Sequence, residues 1–116
     1  MDFQDLFLTN VGRLNRQPFW IGVIVLWIVN LVVGFIIGIV FGQHDIGRLL
    51  ALLVSLALLY PSVNIGIKRF HDRDKSGWWV LIALIPIIGW IWYFIEAGCL
   101  PGTPGPNQYG PDPLKG

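Results

Sequence analysis

The largest group of chemically reactive side chains in this sequence lies between residues 68 and 76. It comprises four basic residues, two aspartates, a histidine and a serine: Lys68, Arg69, Arg73, Lys75, Asp72, Asp74, His71 and Ser76. Ser76 could act as a nucleophile with His71 as its base, but such catalysis also needs an orienting group and an oxyanion hole. The sequence contains no motif that would supply them, so we expect a protein that is not an enzyme.

Metal binding is the other chemistry that these residue types suggest. A histidine precedes an aspartate at His44-Asp45 and again at His71-Asp72, and imidazole and carboxylate are common metal ligands. Each pair offers two ligands, whereas zinc sites usually use about three or four. The pairs also flank an apolar segment that would place them on opposite sides of a membrane. We therefore expect no metal and no cofactor, and we expect Cys99 to be a buried, inert thiol.

The composition indicates a membrane protein with a single domain. Hydrophobic residues make up 54% of the 116 residues and charged residues only 13%, compared with about 25% charged residues in soluble domains. The formal net charge is +1, and the basic residues form short clusters. Nucleic-acid binding is therefore not expected. The predicted fold class is an all-α integral membrane protein.

Three apolar segments are long enough to cross a membrane, since a spanning helix needs about 20 residues. We predict a short interfacial helix at residues 1–9, spans at residues 19–41, 49–67 and 78–100, and a Pro/Gly-rich tail at residues 101–116. Pro86 and Gly89 interrupt the third span, so a re-entrant turn there stays open as an alternative. We favour a full crossing, because each half alone is too short to cross.

The positions of the basic residues predict the orientation of these spans. With three crossings, six basic residues lie on the side of the N-terminus and two on the other: Arg13, Arg16, Lys68, Arg69, Arg73 and Lys75 against Arg48 and Lys115. The positive-inside rule then places the N-terminus and the loop at residues 68–77 in the cytoplasm and the tail outside. Glu96, near the end of the third span, is expected to stay hydrated.

One face of the first span carries small or polar residues in i+4 register. Gly22, Asn30, Gly34, Gly38 and Gly42 follow this register. Small residues at this spacing let a second helix approach closely, so we predict a helix-packing face, either within the chain or between chains. Asn30 would lie near the middle of the membrane, where its amide needs a hydrogen-bond partner from another helix.

The charged loop has two interpretations. Its basic residues could bind anionic lipid phosphates. Alternatively, Asp72 and Asp74 could pair with arginines of the loop or of the N-terminal arm, the segment before the first span that carries Arg13 and Arg16. Such pairs would make the loop a structural latch, and we favour this interpretation. The candidate residues for either role are Arg13, Arg16, Lys68, Arg69, His71, Asp72, Arg73, Ser76, Gly77, Trp78 and Trp79.

Three blocks of sequence resemble a known family. They read Gly12-Arg13-x-x-Arg16-x-x-Phe19-Trp20, then Lys68-Arg69-Phe70-His71-Asp72-x-x-x-Ser76-Gly77-Trp78-Trp79, then Leu100-Pro101-Gly102-Thr103-x-Gly105-x-Asn107-x-Tyr109-Gly110-Pro111-Asp112-Pro113. In this order they are similar to the signature of the bacterial inner-membrane family catalogued as domain of unknown function 805. Its members usually have Arg-Arg-Leu at the positions of Lys68-Arg69-Phe70 and an acidic residue at Pro106. The resemblance implies a small multi-pass protein of the bacterial plasma membrane and implies no activity.

We therefore hold three functional hypotheses. The leading one is a non-enzymatic membrane protein that associates with itself or with another membrane protein through the glycine face. The second is a small channel or transporter subunit, and the third is a protein that binds or modifies anionic lipids. The residues in question are Asn30, Ser55, Asn64 and Glu96 for the second and Arg69, His71, Asp72 and Arg73 for the third.

Overall fold

The computed structural model describes residues 3–113, and its regular elements in that range are helical. They are α1 at Phe3–Leu8, α2 at Arg16–Phe41, α3 at Asp45–Asp72, a 3₁₀ helix at Gly77–Leu84, α4 at Ile88–Tyr93 and a π-helical turn at Phe94–Cys99. The predicted N-terminal helix is found as α1. Residues 1 and 2 of the predicted N-terminal helix lie outside the described residues. So do residues 114–116 of the predicted tail, which include Lys115.

The first two predicted spans are found as α2 and α3. Both helices are long and apolar enough to cross a membrane. A tight turn after Phe41 connects them, and they pack against each other. Pro61 lies inside α3, yet the helix continues to Asp72. At 28 residues, α3 is longer than the roughly 20 needed to cross the hydrocarbon core. Its last turns can therefore extend beyond the apolar layer.

The predicted third crossing is not confirmed, because residues 78–100 form a helical hairpin. Ile85 has an extended backbone with ψ of 112°, as expected for a residue that precedes a proline. Ile87 then has φ of 65° and ψ of −69°, and the amide of Ile88 donates to the carbonyl of Pro86 at 2.7 Å. These values describe a γ-turn of positive φ, which is a rare and strained reversal.

The two arms of this hairpin are in direct contact. The indole nitrogen of Trp90 in α4 donates to the carbonyl oxygen of Ala83 at 3.0 Å. A Cβ atom added to Gly89 would collide with the carbonyl oxygen of Ile82. Close packing at the apex therefore requires glycine at position 89. The hairpin returns the chain to the end of the molecule where it began.

The tail consequently lies against the charged loop. The amide of Thr103 donates to the carbonyl of Asp72 at 2.7 Å, and the side-chain amide of Asn107 donates to the carbonyl of His71 at 2.9 Å. The ring of Tyr109 stacks on His71 with 3.9 Å between ring centroids. The prediction that tail and loop lie on opposite sides is wrong in this structure, because a full crossing would have separated them. The assignment of the loop to the cytoplasm stays a prediction.

The buried apolar core lies at this same end of the molecule. It consists of Leu6, Phe19, Ile65, Phe70 and Ala97, which come from α1, α2, α3 and the π-helical turn. Away from this core, the large apolar side chains of α2 and α3 are mostly exposed. A helix that is apolar on all sides is typical of a lipid environment. The molecule thus has one packed end and one end that offers its side chains to lipid.

The hairpin predicts the effect of a Cβ atom at position 89. Replacing Gly89 with alanine should lower the unfolding temperature of the detergent-solubilised protein, because the new methyl group collides with the Ile82 carbonyl. In a continuous helix the same change would stabilise by about 1 kcal/mol. Gly34→Ala is the matched control, since a Cβ there meets no atom within 4 Å. An unfolding temperature for Gly89→Ala equal to or above that of the wild type would contradict the hairpin.

Candidate functional site

Asp72, the last residue of α3, accepts hydrogen bonds from two buried arginines. Arg13 Nε donates to Asp72 Oδ1 at 2.9 Å, and Arg69 Nη1 donates to Asp72 Oδ2 at 2.8 Å. The side chains of Arg13, Arg69 and Asp72 are 1%, 0% and 3% exposed. We call these three residues the Asp72 cluster. It holds two positive charges and one negative charge away from solvent, so further acceptors must stabilise it.

Arg13 finds these acceptors in the tail. Its two terminal nitrogens donate to the carbonyl oxygens of Thr103 and Gly105, each at 2.6 Å, and to that of Gly110 at 3.3 Å. Such contacts match the planar, five-donor geometry of a guanidinium group. One side chain of the N-terminal arm therefore fixes the course of the tail.

Arg69 and its neighbours donate to the end of the last helix. Five consecutive carbonyls there accept side-chain hydrogen bonds: Ala97 and Leu100 from Arg69, Gly98 from Trp20, Cys99 from Arg16 and Pro101 from Arg73. The last carbonyls of a helix lack partners within the helix and carry partial negative charge. Basic and indole N–H groups satisfy them here, which explains why basic residues are concentrated in the first two sequence blocks.

A second set of donors satisfies the end of α1. Lys68 Nζ donates to the carbonyls of Asp5 and Leu6, Asn64 donates to that of Phe7 at 2.8 Å, and Tyr60 donates to that of Leu8 at 3.4 Å. Tyr60, Asn64 and Lys68 are spaced by four residues, which places them on one face of α3. Tyr60 was not among the candidate residues, although this spacing could have revealed it.

Glu96 pairs with the charged loop instead of staying hydrated as predicted. Glu96 is 6% exposed. Its carboxylate accepts a hydrogen bond from Lys75 and lies 3.5 Å from Arg73 Nε. Burial raises the pKa of this carboxyl, but the hydrogen bond and charge of Lys75 and the charge of Arg73 together outweigh burial, so its pKa lies below the usual value. Cys99 was expected to be buried and is exposed.

His71 connects the N-terminal arm to the tail. Its Nδ1 lies 2.9 Å from the carbonyl oxygen of Gly12. A carbonyl can only accept, so Nδ1 carries the hydrogen. His44, the other candidate histidine, immediately precedes α3 at its opposite end, which is about 40 Å away at 1.5 Å per residue. The structure therefore does not bring the two His-Asp pairs together.

The remaining candidates have simpler roles. Ser76 caps the 3₁₀ helix by accepting from the amide of Trp78 at 3.3 Å. Gly77 packs against Ile67, and Trp78 and Trp79 are exposed on the outer surface. Within the membrane part, Ser55 of α3 donates to the Asn30 side chain at 3.4 Å, so Asn30 has an interhelical partner.

The Asp72 cluster predicts that two aspartates of the loop contribute very differently to the stability of the protein. Asp72→Asn should lower the free energy of unfolding by about 3–5 kcal/mol, since it leaves two buried guanidinium groups without a counter-charge. Asp74→Asn is the control, because Asp74 is exposed and its carboxylate forms no ion pair within residues 3–113. Denaturant titration in detergent micelles measures both. Equal stability of the two variants would contradict a structural role for the cluster.

Comparison with known proteins gives a consistent family assignment. The family model described as protein of unknown function, DUF805, matches residues 7–111. The inner membrane proteins YhaH and YhaI of Escherichia coli are each 36% identical to this chain. The alignments cover 88% and 90% of this chain and 84% and 86% of those proteins.

A more distant relative, the uncharacterized protein YiiR of Escherichia coli, is 27% identical over 97% of this chain and 90% of its own length. No solved structure matches the chain. The family match covers nearly all of the three sequence blocks, whose side chains form the Asp72 cluster and cap the last helix. With two helices long and apolar enough to cross a membrane, the chain is a helical membrane protein and belongs to the DUF805 family.

Proposed function

We propose that this protein is a non-enzymatic component of the bacterial inner membrane that self-associates through the face of α2 carrying Gly34 and Gly38. The observation that carries the proposal is the open space beside these two glycines. A Cβ atom added to either would meet no other atom within 4 Å. Glycines inside a lipid-facing helix lower its stability unless something packs against them. Their place four residues apart therefore favours a partner helix that this chain does not supply.

The first residues of the same register are used within the chain, whereas Gly42, which caps the end of α2, has open space beside it as Gly34 and Gly38 do. A Cβ atom on Gly22 would lie 3.4 Å from the side chain of Ile65, and Asn30 accepts its hydrogen bond from Ser55. The contact between α2 and α3 thus involves the first part of the register and leaves Gly34 and Gly38 outside it. This separation supports an intermolecular role for the two glycines.

A second copy of the chain is the partner that fits this surface most simply. Two copies related by a twofold axis present the same face to each other, so each glycine pair can receive the backbone of the other helix. The flanking side chains of Leu31 and Phe35 are exposed and could pack across such an interface. Association in a bilayer depends on this kind of close packing, because lipid removes most of the hydrophobic driving force.

Three of the four side chains considered for binding or modifying lipids have their charged groups bound within the protein, which supports a non-enzymatic assignment. Arg69 and Asp72 are buried and bind each other, and Arg73 donates to the backbone of the tail. The polar residues proposed for a transport path also have internal partners. Asn64 binds the end of α1, and Glu96 binds the loop. These contacts leave little for a substrate, so the surface of α2 is the better candidate for function.

The orientation is part of the same proposal. The end of the molecule that contains the charged loop also holds most of the basic side chains, whereas the turn between α2 and α3 is followed by Arg48. The positive-inside rule then favours a cytoplasmic location for the N-terminus and the loop. Because the tail contacts the loop, the proposal places the tail in the cytoplasm as well.

If the copies associate through this face, a large side chain at position 38 should weaken their association. Gly38→Leu should raise the dissociation constant in liposomes at least about tenfold, which corresponds to about 1.4 kcal/mol. Energy transfer between donor- and acceptor-labelled copies, measured at increasing lipid dilution, gives this constant. The unfolding temperature should not fall, because a Cβ atom at position 38 meets no other atom within 4 Å and leucine favours a helix more than glycine does.

Ala57→Leu is the matched control for this experiment. It places a leucine at an exposed position on α3 that lies outside the glycine face. Energy transfer should be unchanged in this variant. If Gly38→Leu associates as tightly as the control, or if the wild type shows no association, the proposal is wrong.

A further inference from the structure

A groove lies between the last turns of α3 and the 3₁₀ helix Gly77–Leu84. It has a volume of about 470 Å³, and its lining includes Val63, Ile67, His71, Ser76, Trp78 and Leu81. His71 and Ser76 lie at one end, beside the charged loop. Val63 and Leu81 are partly exposed and lie toward the apolar part of the molecule. From Val63 to His71 the groove follows α3 for eight residue steps, or about 12 Å.

The direction of the groove restricts what can occupy it. Its polar end lies at the level of the charged loop, and its apolar end is open toward the side chains that face lipid. Trp78, which is exposed beside the polar end, is the kind of residue found at the membrane–water interface. An occupant must therefore be polar at one end and apolar at the other, as a phospholipid is.

The chemistry of the polar end selects the headgroup. Since Nδ1 of His71 donates to Gly12, Nε2 is the ring nitrogen left to bind an occupant, and it has no hydrogen-bond partner within residues 3–113. A neutral imidazole, the main form of an ordinary histidine above about pH 7, offers Nε2 as an acceptor. An accepting nitrogen requires a headgroup that donates hydrogen bonds.

The surrounding groups favour a cationic donor. The basic side chains nearest to this end already bind partners in the protein: Lys75 binds Glu96, and Arg73 binds the carbonyl of Pro101. The rings of Tyr109 and Trp78 line the same groove, and aromatic rings attract ammonium groups. A primary ammonium combines a positive charge with N–H donors, whereas a phosphate alone offers neither.

We propose that this groove binds one phospholipid with a primary-ammonium headgroup, such as an ethanolamine phospholipid. The ammonium group donates to Nε2 of His71 beside the aromatic rings. One acyl chain lies along Val63, Ile67 and Leu81. This site is separate from the glycine face of α2 and does not depend on self-association.

The test compares two cationic headgroups, one with three N–H donors on its nitrogen and one with three methyl groups in their place. The protein is reconstituted in nanodiscs with equal amounts of ethanolamine and choline phospholipids of identical acyl chains at pH 7.5, then released for native mass spectrometry. The trimethylated choline nitrogen has no N–H. Retained ethanolamine lipid should exceed choline lipid at least about fivefold, which corresponds to a difference of about 1 kcal/mol. Equal retention would overturn the proposal.

Two variants separate headgroup recognition from occupancy of the groove. His71→Phe keeps a ring that can stack on Tyr109 but removes the acceptor, so the preference for ethanolamine should disappear. Val63→Trp fills the apolar end while leaving His71 intact, so retention of both lipids should fall. Val32→Trp, at an exposed position of α2 outside the groove, should change neither.

A second experiment with an anionic lipid tests whether the groove selects negative charge instead. Phosphatidylglycerol with the same acyl chains replaces the choline lipid in a second set of nanodiscs. Preferential retention of phosphatidylglycerol would show that the groove selects negative charge, which contradicts the proposal. Continued preference for the ethanolamine lipid would support it.

Discussion

Two buried arginines that share one carboxylate determine how this molecule is built. A guanidinium group is costly to bury unless its charge is opposed and its N–H groups are bonded. Arg13 and Arg69 meet both conditions by binding Asp72 and backbone carbonyls, among them those of Leu14, Ala97 and Thr103. Those carbonyls belong to the N-terminal arm, the last helix and the tail, so three distant segments must meet at the end of α3. If any one of them were elsewhere, a buried charge or a helix end would lack its partner.

This constraint divides the molecule into two parts with different roles. At one end, charged side chains and a small apolar core form a packed structure, and the three sequence blocks encode it. The other end consists of two long helices whose surfaces face lipid. The blocks that identify the family thus explain the fold better than they explain an activity. The surfaces that remain available are the face of α2 with Gly34 and Gly38 and the groove beside His71.

Sequence reasoning located α2 and α3, because their length and apolarity leave few alternatives, and it listed Asp72 with Arg13 among the possible ion pairs. It failed for residues 78–100, where a crossing helix and a hairpin have the same apolar composition. Pro86 and Gly89 were visible as interruptions, but the choice depends on contacts between distant residues. These are the packing of Gly89 on Ile82 and the binding of the tail to Arg13. The expected hydration of Glu96 failed for the same reason, since its partners come from the loop.

The hairpin returns the tail to the loop, and cysteine accessibility in intact cells and inverted vesicles can establish whether both lie on the same side of the membrane. Single reporter thiols replace the exposed residues Asp74 in the loop, Gln108 in the tail and Gln43 in the turn between α2 and α3. Each is introduced into a Cys99→Ser background and labelled with a membrane-impermeant maleimide. The structure predicts that positions 74 and 108 react from the same side and position 43 from the opposite side. Labelling of positions 74 and 108 from opposite sides would contradict the hairpin and the shared arginine cluster together.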